Sequence, residues 1–126
     1  MTLVRWTDPF VFHTGAWVPP VDIYQDGDRE IVLSAELPDM TREDIDITVE
    51  DGTLTLKGEK KLPESVTEDQ YRRTERRYGT FSRSFTLPTT VDSAKVVAEY
   101  RNGVLTVRLP LREEAKPRQI RVNVAA

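Results

Sequence analysis

Side chains suited to nucleophilic or metal chemistry are scarce in this sequence. His13 is its only histidine, and it contains no cysteine. A Ser-His-Asp triad needs a histidine held between two partners, and protein metal sites are usually built from several histidines or thiolates. Because His13 stands alone in an aromatic segment, we expect neither nucleophilic catalysis nor a bound metal.

Carboxylates are the remaining candidates for acid–base chemistry, as a pair flanking a glycosidic bond. They cluster at Glu43, Asp44 and Asp46 and again at Glu113 and Glu114. Both clusters lie in loops or at solvent-facing positions, and no spacing pairs two of them. The sequence also lacks a Gly-rich loop followed by Lys and Ser or Thr, which would hold phosphates. We therefore predict that the protein is not an enzyme, uses no ATP and needs no cofactor.

One arginine-rich stretch hints at a nucleic-acid surface. It places four arginines between two tyrosines: Tyr71, Arg72, Arg73, Arg76, Arg77 and Tyr78. Basic side chains interleaved with aromatic ones are typical of nucleic-acid binding. However, Glu68, Asp69 and Glu75 lie beside them, and the whole chain has a net charge of −3. We favour a solvated or intersubunit ion-pair loop and predict no nucleic-acid partner.

Arg83 is a charge at an apolar position. It alternates with Phe81 and Phe85, so all three share one face of a predicted strand. An unpaired guanidinium is costly on such a face. Two explanations stay open: an edge position from which the side chain reaches water, or an ion pair with a carboxylate at a subunit contact.

The elements that must position these groups are short strands joined by tight turns. Asn102-Gly103 is a strong signal for a type I′ hairpin, because both central residues need φ > 0. Pro110 ends the second strand of this hairpin, since proline has no N–H for the ladder. Apolar residues alternate before and after the turn, at Val96, Ala98 and Tyr100 and then at Leu105, Val107 and Leu109.

The rest of the middle region repeats this pattern, with turns at Asp26-Gly27 and Asp51-Gly52. Short alternating strands without a convincing helix predict an all-β fold, an antiparallel β-sandwich. Residues 61–80 interrupt the rhythm, and a structureless loop of this length is uncommon. The apolar faces are Ile31, Leu33, Ala35 and Leu37; Ile45, Ile47 and Val49; Leu54 and Leu56; and Phe81, Phe85 and Leu87.

Two flanking segments surround the domain, which we place at residues 19–111. Residues 1–18 form an N-terminal arm with both tryptophans and two of the four phenylalanines. Either this arm folds back onto the core, or it contacts other chains, and we favour the second because apolar clusters usually mark interaction surfaces. In the extension at 112–126, Ile120, Val122 and Val124 alternate as in a strand. It is either the last strand of the same domain or a ligand for a neighbouring subunit.

Composition bounds the remaining possibilities. A chain of 126 residues with 38% hydrophobic and 31% charged residues suits one domain with a well-solvated surface. No apolar run approaches the ~20 residues needed to cross a bilayer. The beginning of the sequence lacks the basic-then-apolar layout of a secretory signal. We predict a cytoplasmic protein with no membrane partner.

Four motifs in order resemble the small heat-shock proteins of bacterial type, which share the α-crystallin domain. Arg5-Trp6 and Asp8-Pro9-Phe10 also look like the start of such chains, although Thr7 is inserted. The resemblance covers almost the whole chain. The four motifs are Trp17-Val18-Pro19-Pro20-Val21-Asp22-Ile23-Tyr24, Arg76-Arg77-Tyr78-Gly79-Thr80-Phe81-Ser82-Arg83-Ser84-Phe85 with Leu87-Pro88, the hairpin Ala98-x-x-x-Asn102-Gly103-Val104-Leu105, and the tail Ile120-Arg121-Val122.

The resemblance implies an immunoglobulin-like sandwich that dimerises and assembles into larger oligomers. A strand in the long loop would cross to the partner subunit, and Ile120 and Val122 of the tail would dock in a groove of another dimer. The implied dimer contacts are Tyr71, Arg72, Arg73, Arg76 and Arg83. The implied groove residues are Ile45, Ile47, Val49 and Val97.

The resemblance also implies an ATP-independent holdase, which keeps partly unfolded clients refoldable for ATP-driven chaperones. The arm is shorter than most in that family, which suggests a small assembly or a weaker client capacity. The alternative is an adaptor module that acts as a monomer on a larger chaperone, but such a module has no use for the tail or the long loop. The expected client-binding residues are Leu3, Val4, Trp6, Phe10, Phe12 and Trp17.

Overall fold

The fold is known from a computed structural model that describes residues 11–15, 17–113 and 119–125, with backbone only for 11–15. Eight antiparallel strands form two four-stranded sheets, and the described residues include no α-helix. This confirms the prediction of an antiparallel β-sandwich. The strands are β1 (Val11–Gly15), β2 (Val21–Asp26), β3 (Glu30–Glu36), β4 (Ile45–Glu50), β5 (Thr53–Lys60), β6 (Gly79–Thr86), β7 (Val97–Arg101) and β8 (Val104–Pro110).

The two sheets have strand orders β1-β6-β5-β4 and β2-β3-β8-β7. Strands β4 and β7 are therefore edge strands of opposite sheets. The described part of the chain also contains short 3₁₀ turns at Arg42–Asp44, Glu68–Gln70 and Ser93–Lys95. An edge strand has backbone N–H and C=O groups without ladder partners, and so can pair with another chain.

Both predicted two-residue hairpin turns have the left-handed backbone that their sequences favour. Asn102 and Gly103 have φ values of 53° and 78°, and Asp51 and Gly52 have 50° and 72°. Each turn joins strands in the register that a type I′ turn imposes, with Arg101 opposite Val104 and Glu50 opposite Thr53.

The core lies between the sheets and consists of the predicted apolar faces. Strand β3 adds one buried residue that the alternation assigns to the other face. Val32 is 1% exposed and lies between Tyr24 and Arg108 in the register of the outer face. The fully or nearly buried core residues are Leu33, Ala35, Leu37, Leu54, Leu56, Phe81, Phe85, Leu105, Val107 and Leu109.

The boundary of the N-terminal arm lies earlier in the structure than the sequence suggests. Strand β1 pairs with β6, with Val11 opposite Phe85 and Gly15 opposite Phe81. Trp17 is buried in the core at 7% exposure. The sandwich therefore begins near residue 11 and not at residue 19, because the β6 edge offers backbone partners to the preceding chain.

Candidate functional site

A groove of about 440 Å³ lies between edge strands β4 and β7. We call it the edge groove. Its walls combine apolar side chains from both sheets with the backbone of two edge strands, which suits an extended peptide with alternating apolar side chains. Its lining residues are Arg42, Ile45, Ile47, Ala98, Glu99, Tyr100 and Leu105.

Tyr100 is held in place at this groove by hydrogen bonds across the sandwich. Its hydroxyl donates to the Leu37 carbonyl oxygen and accepts from the Met40 backbone N–H at 3.4 Å. The phenol is therefore satisfied without the groove occupant, and its ring forms part of the wall. A buried tyrosine hydroxyl usually has such a partner.

The structure brings together two of the four predicted groove residues, Ile45 and Ile47, while Val49 is partly buried on the same face of β4. Val97 does not line this groove, so its assignment is corrected. It pairs with Arg108 in register, is 59% exposed and lies on the outer face of its sheet. Strand alternation puts Ala98 and Tyr100 on the inner side instead, and the same alternation can be seen in the sequence.

The C-terminal segment at 119–125 forms no strand within its own chain. Ile120 is 79% exposed and Val122 is 82% exposed. The interpretation of this segment as the last strand of the same sandwich is therefore wrong for the described residues. The chain presents an apolar strand-like sequence and an apolar groove between edge strands, and they do not meet within one subunit.

The long loop between β5 and β6 contains ion pairs and no strand in the single chain. Arg76 pairs with Asp39 at 3.0 Å, which raises the pKa of the guanidinium, and Arg73 pairs with Glu75 at 3.1 Å. Tyr71, which follows the 3₁₀ turn, has an extended backbone with φ −75° and ψ 131°. Two of the four arginines of this loop, Arg73 and Arg76, are thus paired with carboxylates within the chain.

The structure contradicts one of the two explanations offered for Arg83, the edge position, and the ion pair at a subunit contact stays a prediction. Strand β6 is internal to its sheet, so Arg83 is not at an edge. Its Nη1 donates to the Pro19 carbonyl oxygen at 3.2 Å, and its guanidinium lies 5.0 Å from the ring centroid of Phe85. The Nε atom is buried without a hydrogen-bond partner, and burial lowers the pKa of this guanidinium.

Trp17 is the predicted client-binding residue that the structure contradicts. Its ring packs edge-on against Phe81 at 5.2 Å, and its Nε1 donates to the Gly79 carbonyl oxygen at 3.0 Å. Aromatic content alone did not distinguish a core anchor from a surface anchor. Leu3, Val4, Trp6 and Phe10 lie outside the described residues, and Phe12 is placed only by its backbone opposite Ser84.

Among the described residues, no group of three or more His, Asp or Glu side chains is arranged to hold a metal ion. No helix in the same part of the chain has the length and hydropathy of a membrane span.

Comparison with known proteins agrees with the motifs and the fold. Residues 23–125 match the family model described as the Hsp20/alpha crystallin family. Small heat shock protein C4 of Rickettsia felis is 34% identical over 105 residues, which cover 83% of this chain and 64% of that protein. The chain thus spans somewhat less than two thirds of the length of that relative.

Two further comparisons cover most of both chains. The 18 kDa antigen 2 of Mycobacterium avium is 35% identical over 96% of this chain and 86% of its own length. A crystal structure of a small heat-shock protein from Xylella fastidiosa, which is reported to have a distinct high order structure, superposes with a TM-score of 0.74 at 38% identity. That superposition covers 86% of this chain and 99% of the other. The chain therefore belongs to the Hsp20/alpha-crystallin family of small heat-shock proteins.

Proposed function

We propose that this protein is a holdase that assembles from dimers and binds partly unfolded clients without nucleotide. The observation that carries the proposal is a pair of features in one subunit, an apolar edge groove and an exposed Ile120-Arg121-Val122 tail that does not enter it. A subunit that satisfies its groove with the tail of a neighbour builds an assembly. The Xylella relative with a high order structure supports this part of the proposal.

The dimer contact is proposed at the long loop, where Tyr71, Arg72, Arg73 and Arg76 are half-buried or exposed in the single chain. Among the described strands, β2 pairs on one side only, and an extended segment of a partner can add to its other side. Arg83 joins this proposal through its unpartnered Nε, which a partner's acceptor would satisfy.

Client binding is proposed for the apolar side chains that precede β1, namely Leu3, Val4, Trp6 and Phe10, together with Phe12. Trp17 is withdrawn from this set because its ring is in the core. Clients would be released to ATP-driven chaperones, since the sequence has no nucleotide loop of its own. The cysteine-free sequence supports a cytoplasmic location within this proposal.

Light scattering of a heat-labile test protein, heated without nucleotide, tests the holdase function. We expect the native chain at equimolar subunits to suppress scattering. A variant with Leu3, Val4, Trp6 and Phe10 replaced by Ser should lose most of this protection, because the apolar contact area is removed. Val97→Ser is the matched control, since it removes an exposed apolar side chain outside the arm and the groove.

Unchanged scattering with the native chain would refute the holdase proposal. Equal protection by the arm variant and by Val97→Ser would move the client site from the arm to the sandwich.

A further inference from the structure

A second cavity, of about 580 Å³, lies at the end of the sandwich where β5, the long loop and the β7–β8 turn meet. We call it the end cavity. Its lining differs from that of the edge groove: none of its residues is used by the proposed tail docking, and it shares only Arg76 with the proposed dimer contact. Lys60 and Arg77 contribute positive charge, Glu36 contributes negative charge, and Val18, Pro38 and Val104 contribute apolar surface.

Lys60 is the unusual member of this lining. Lys60 is 7% exposed, and no other charged residue of the described ones is buried as deeply. No carboxylate of the described residues lies within ion-pair distance of its Nζ. The ammonium is held 5.6 Å from the centroid of the Trp17 ring, and it opens onto the cavity. Lys60 thus presents to the cavity an ammonium without a carboxylate partner among the described residues, and such a group favours an anionic ligand.

The other charges of the end cavity set the charge of that ligand. Arg76 also lines it, but Asp39 neutralises its guanidinium at 3.0 Å. The rest of the lining then holds two cations, Lys60 and Arg77, and one carboxylate, Glu36, which leaves one positive charge uncompensated. One negative charge balances this lining, whereas a dianion would lie against Glu36 with an excess of charge.

The remaining surface sets the shape of the ligand. Val18 and Pro38 form apolar walls, and the amide of Asn102 lies beside them at the β7–β8 turn. Apolar and amide-binding groups next to a cation suit a peptide better than a purely aliphatic chain. We propose that the end cavity binds the C-terminal carboxylate of a peptide whose last side chain is apolar, with Lys60 as the principal cation.

The fluorescence of Trp17 provides the test, because its ring contacts the Lys60 ammonium. The sequence contains two tryptophans, so Trp6→Phe in the full-length chain leaves Trp17 as the only reporter. We expect acetyl-Ala-Val-Val with a free carboxylate to change the emission saturably. The same peptide as its C-terminal amide should bind about tenfold or more weakly, since a charge-assisted hydrogen bond is lost.

Variants identify the cation. Lys60→Met keeps the length of the side chain and should abolish the preference for the acid peptide over the amide, while Lys60→Arg should keep it. Lys57→Met is the matched control, because Lys57 lies on the same strand and outside the end cavity. Arg77→Gln should weaken binding of the acid peptide. Because Arg77 is exposed, we expect this variant to fold normally, so that weaker binding would reflect the lost charge.

Equal affinity of the acid and amide peptides for the native chain would overturn the proposal, as would the absence of saturable binding. Inorganic phosphate or hexanoate binding as tightly as the peptide would also overturn it. Because the measurement does not require oligomers, it can be repeated on the variant Ile120→Ala with Val122→Ala. Failure of tail docking and failure of the carboxylate site are thereby distinguished.

Discussion

At the scale of residues, the structure satisfies polar groups at apolar positions through backbone carbonyls. The Trp17 indole donates to Gly79 and the Arg83 guanidinium donates to Pro19, both far away in sequence. Each of these bonds ties the N-terminal part of the chain to strand β6 or its start. Buried polar groups without such partners would cost more than the bonds contribute.

Replacing Trp17 decides between a core role and a client-binding role. We expect Trp17→Ala to lower the free energy of unfolding by about 3–5 kcal/mol, because the contact with Phe81 is lost and a cavity remains. Trp17→Phe should cost less, mainly the hydrogen bond to Gly79, at about 1 kcal/mol plus a small packing loss. Urea unfolding followed by circular dichroism measures both. A stable Trp17→Ala variant with poor client protection would return Trp17 to the client surface.

At the scale of elements, strand β5 and the 3₁₀ turn at Arg42–Asp44 are packed without space between them. A Cβ on Gly58 would lie 2.3 Å from the Asp44 carbonyl oxygen and 2.9 Å from Cζ of Phe81. Glycine within a strand often marks such a close approach of backbones. A cap holds this 3₁₀ turn in place, because the backbone N–H and the hydroxyl of Thr41 both donate to the Asp44 carboxylate.

Gly58→Ala should therefore destabilise the domain strongly. Backbone must move to admit the methyl group, and we expect a loss of about 2–3 kcal/mol in the free energy of unfolding. Gly27→Ala is the control, since nothing lies within 4 Å of its Cβ position and only its φ of 59° opposes the change. The control should lose about 1–2 kcal/mol. A Gly58→Ala variant more stable than the control in thermal unfolding would contradict this packing.

Acid should weaken the same turn. Hydrogen bonds from the Thr41 hydroxyl and N–H, and then the Lys61 ammonium, hold the pKa of Asp44 below its ordinary value. Because the folded-state pKa is depressed, this contribution to stability is complete above the ordinary pKa of about 4 and is lost as the pH falls through the folded-state value. Thermal unfolding between pH 6 and 2.5, as approximate limits, should be less pH-dependent in Asp44→Asn than in Asp46→Asn. Identical profiles for the two variants would exclude this role of Asp44.

At the scale of the whole molecule, the proposed docking of the tail in the edge groove would hold the subunits together through many weak contacts. Burial of Ile120 and Val122 yields about 1.5–3 kcal/mol each. Ordering the tail costs about 1–2 kcal/mol per residue of backbone. One tail therefore contributes little net free energy, and a stable assembly needs several at once, with ready exchange of subunits.

Ile120→Ala combined with Val122→Ala should dissolve larger assemblies into dimers without unfolding them, because both side chains are exposed in the single chain. Val124→Ala is the matched control, as it removes a similar exposed side chain of the same tail. Native mass across a range of concentration is the measurement. The same size distribution in the double variant and the native chain would refute tail docking.

The sequence by itself determined the strands after β1, most of their faces and both hairpin turns, because alternation and positive-φ turn residues are local properties. Gly58 stands in an otherwise ordinary strand, and Lys60 follows it as one of several polar residues. Only the tertiary structure decided that the first meets the backbone of another element and that the second is buried beside Trp17. It also moved Trp17 into the core and Val97 out of the groove. These placements depend on which elements meet across the sandwich, and a local pattern carries no information about partners that are distant along the chain.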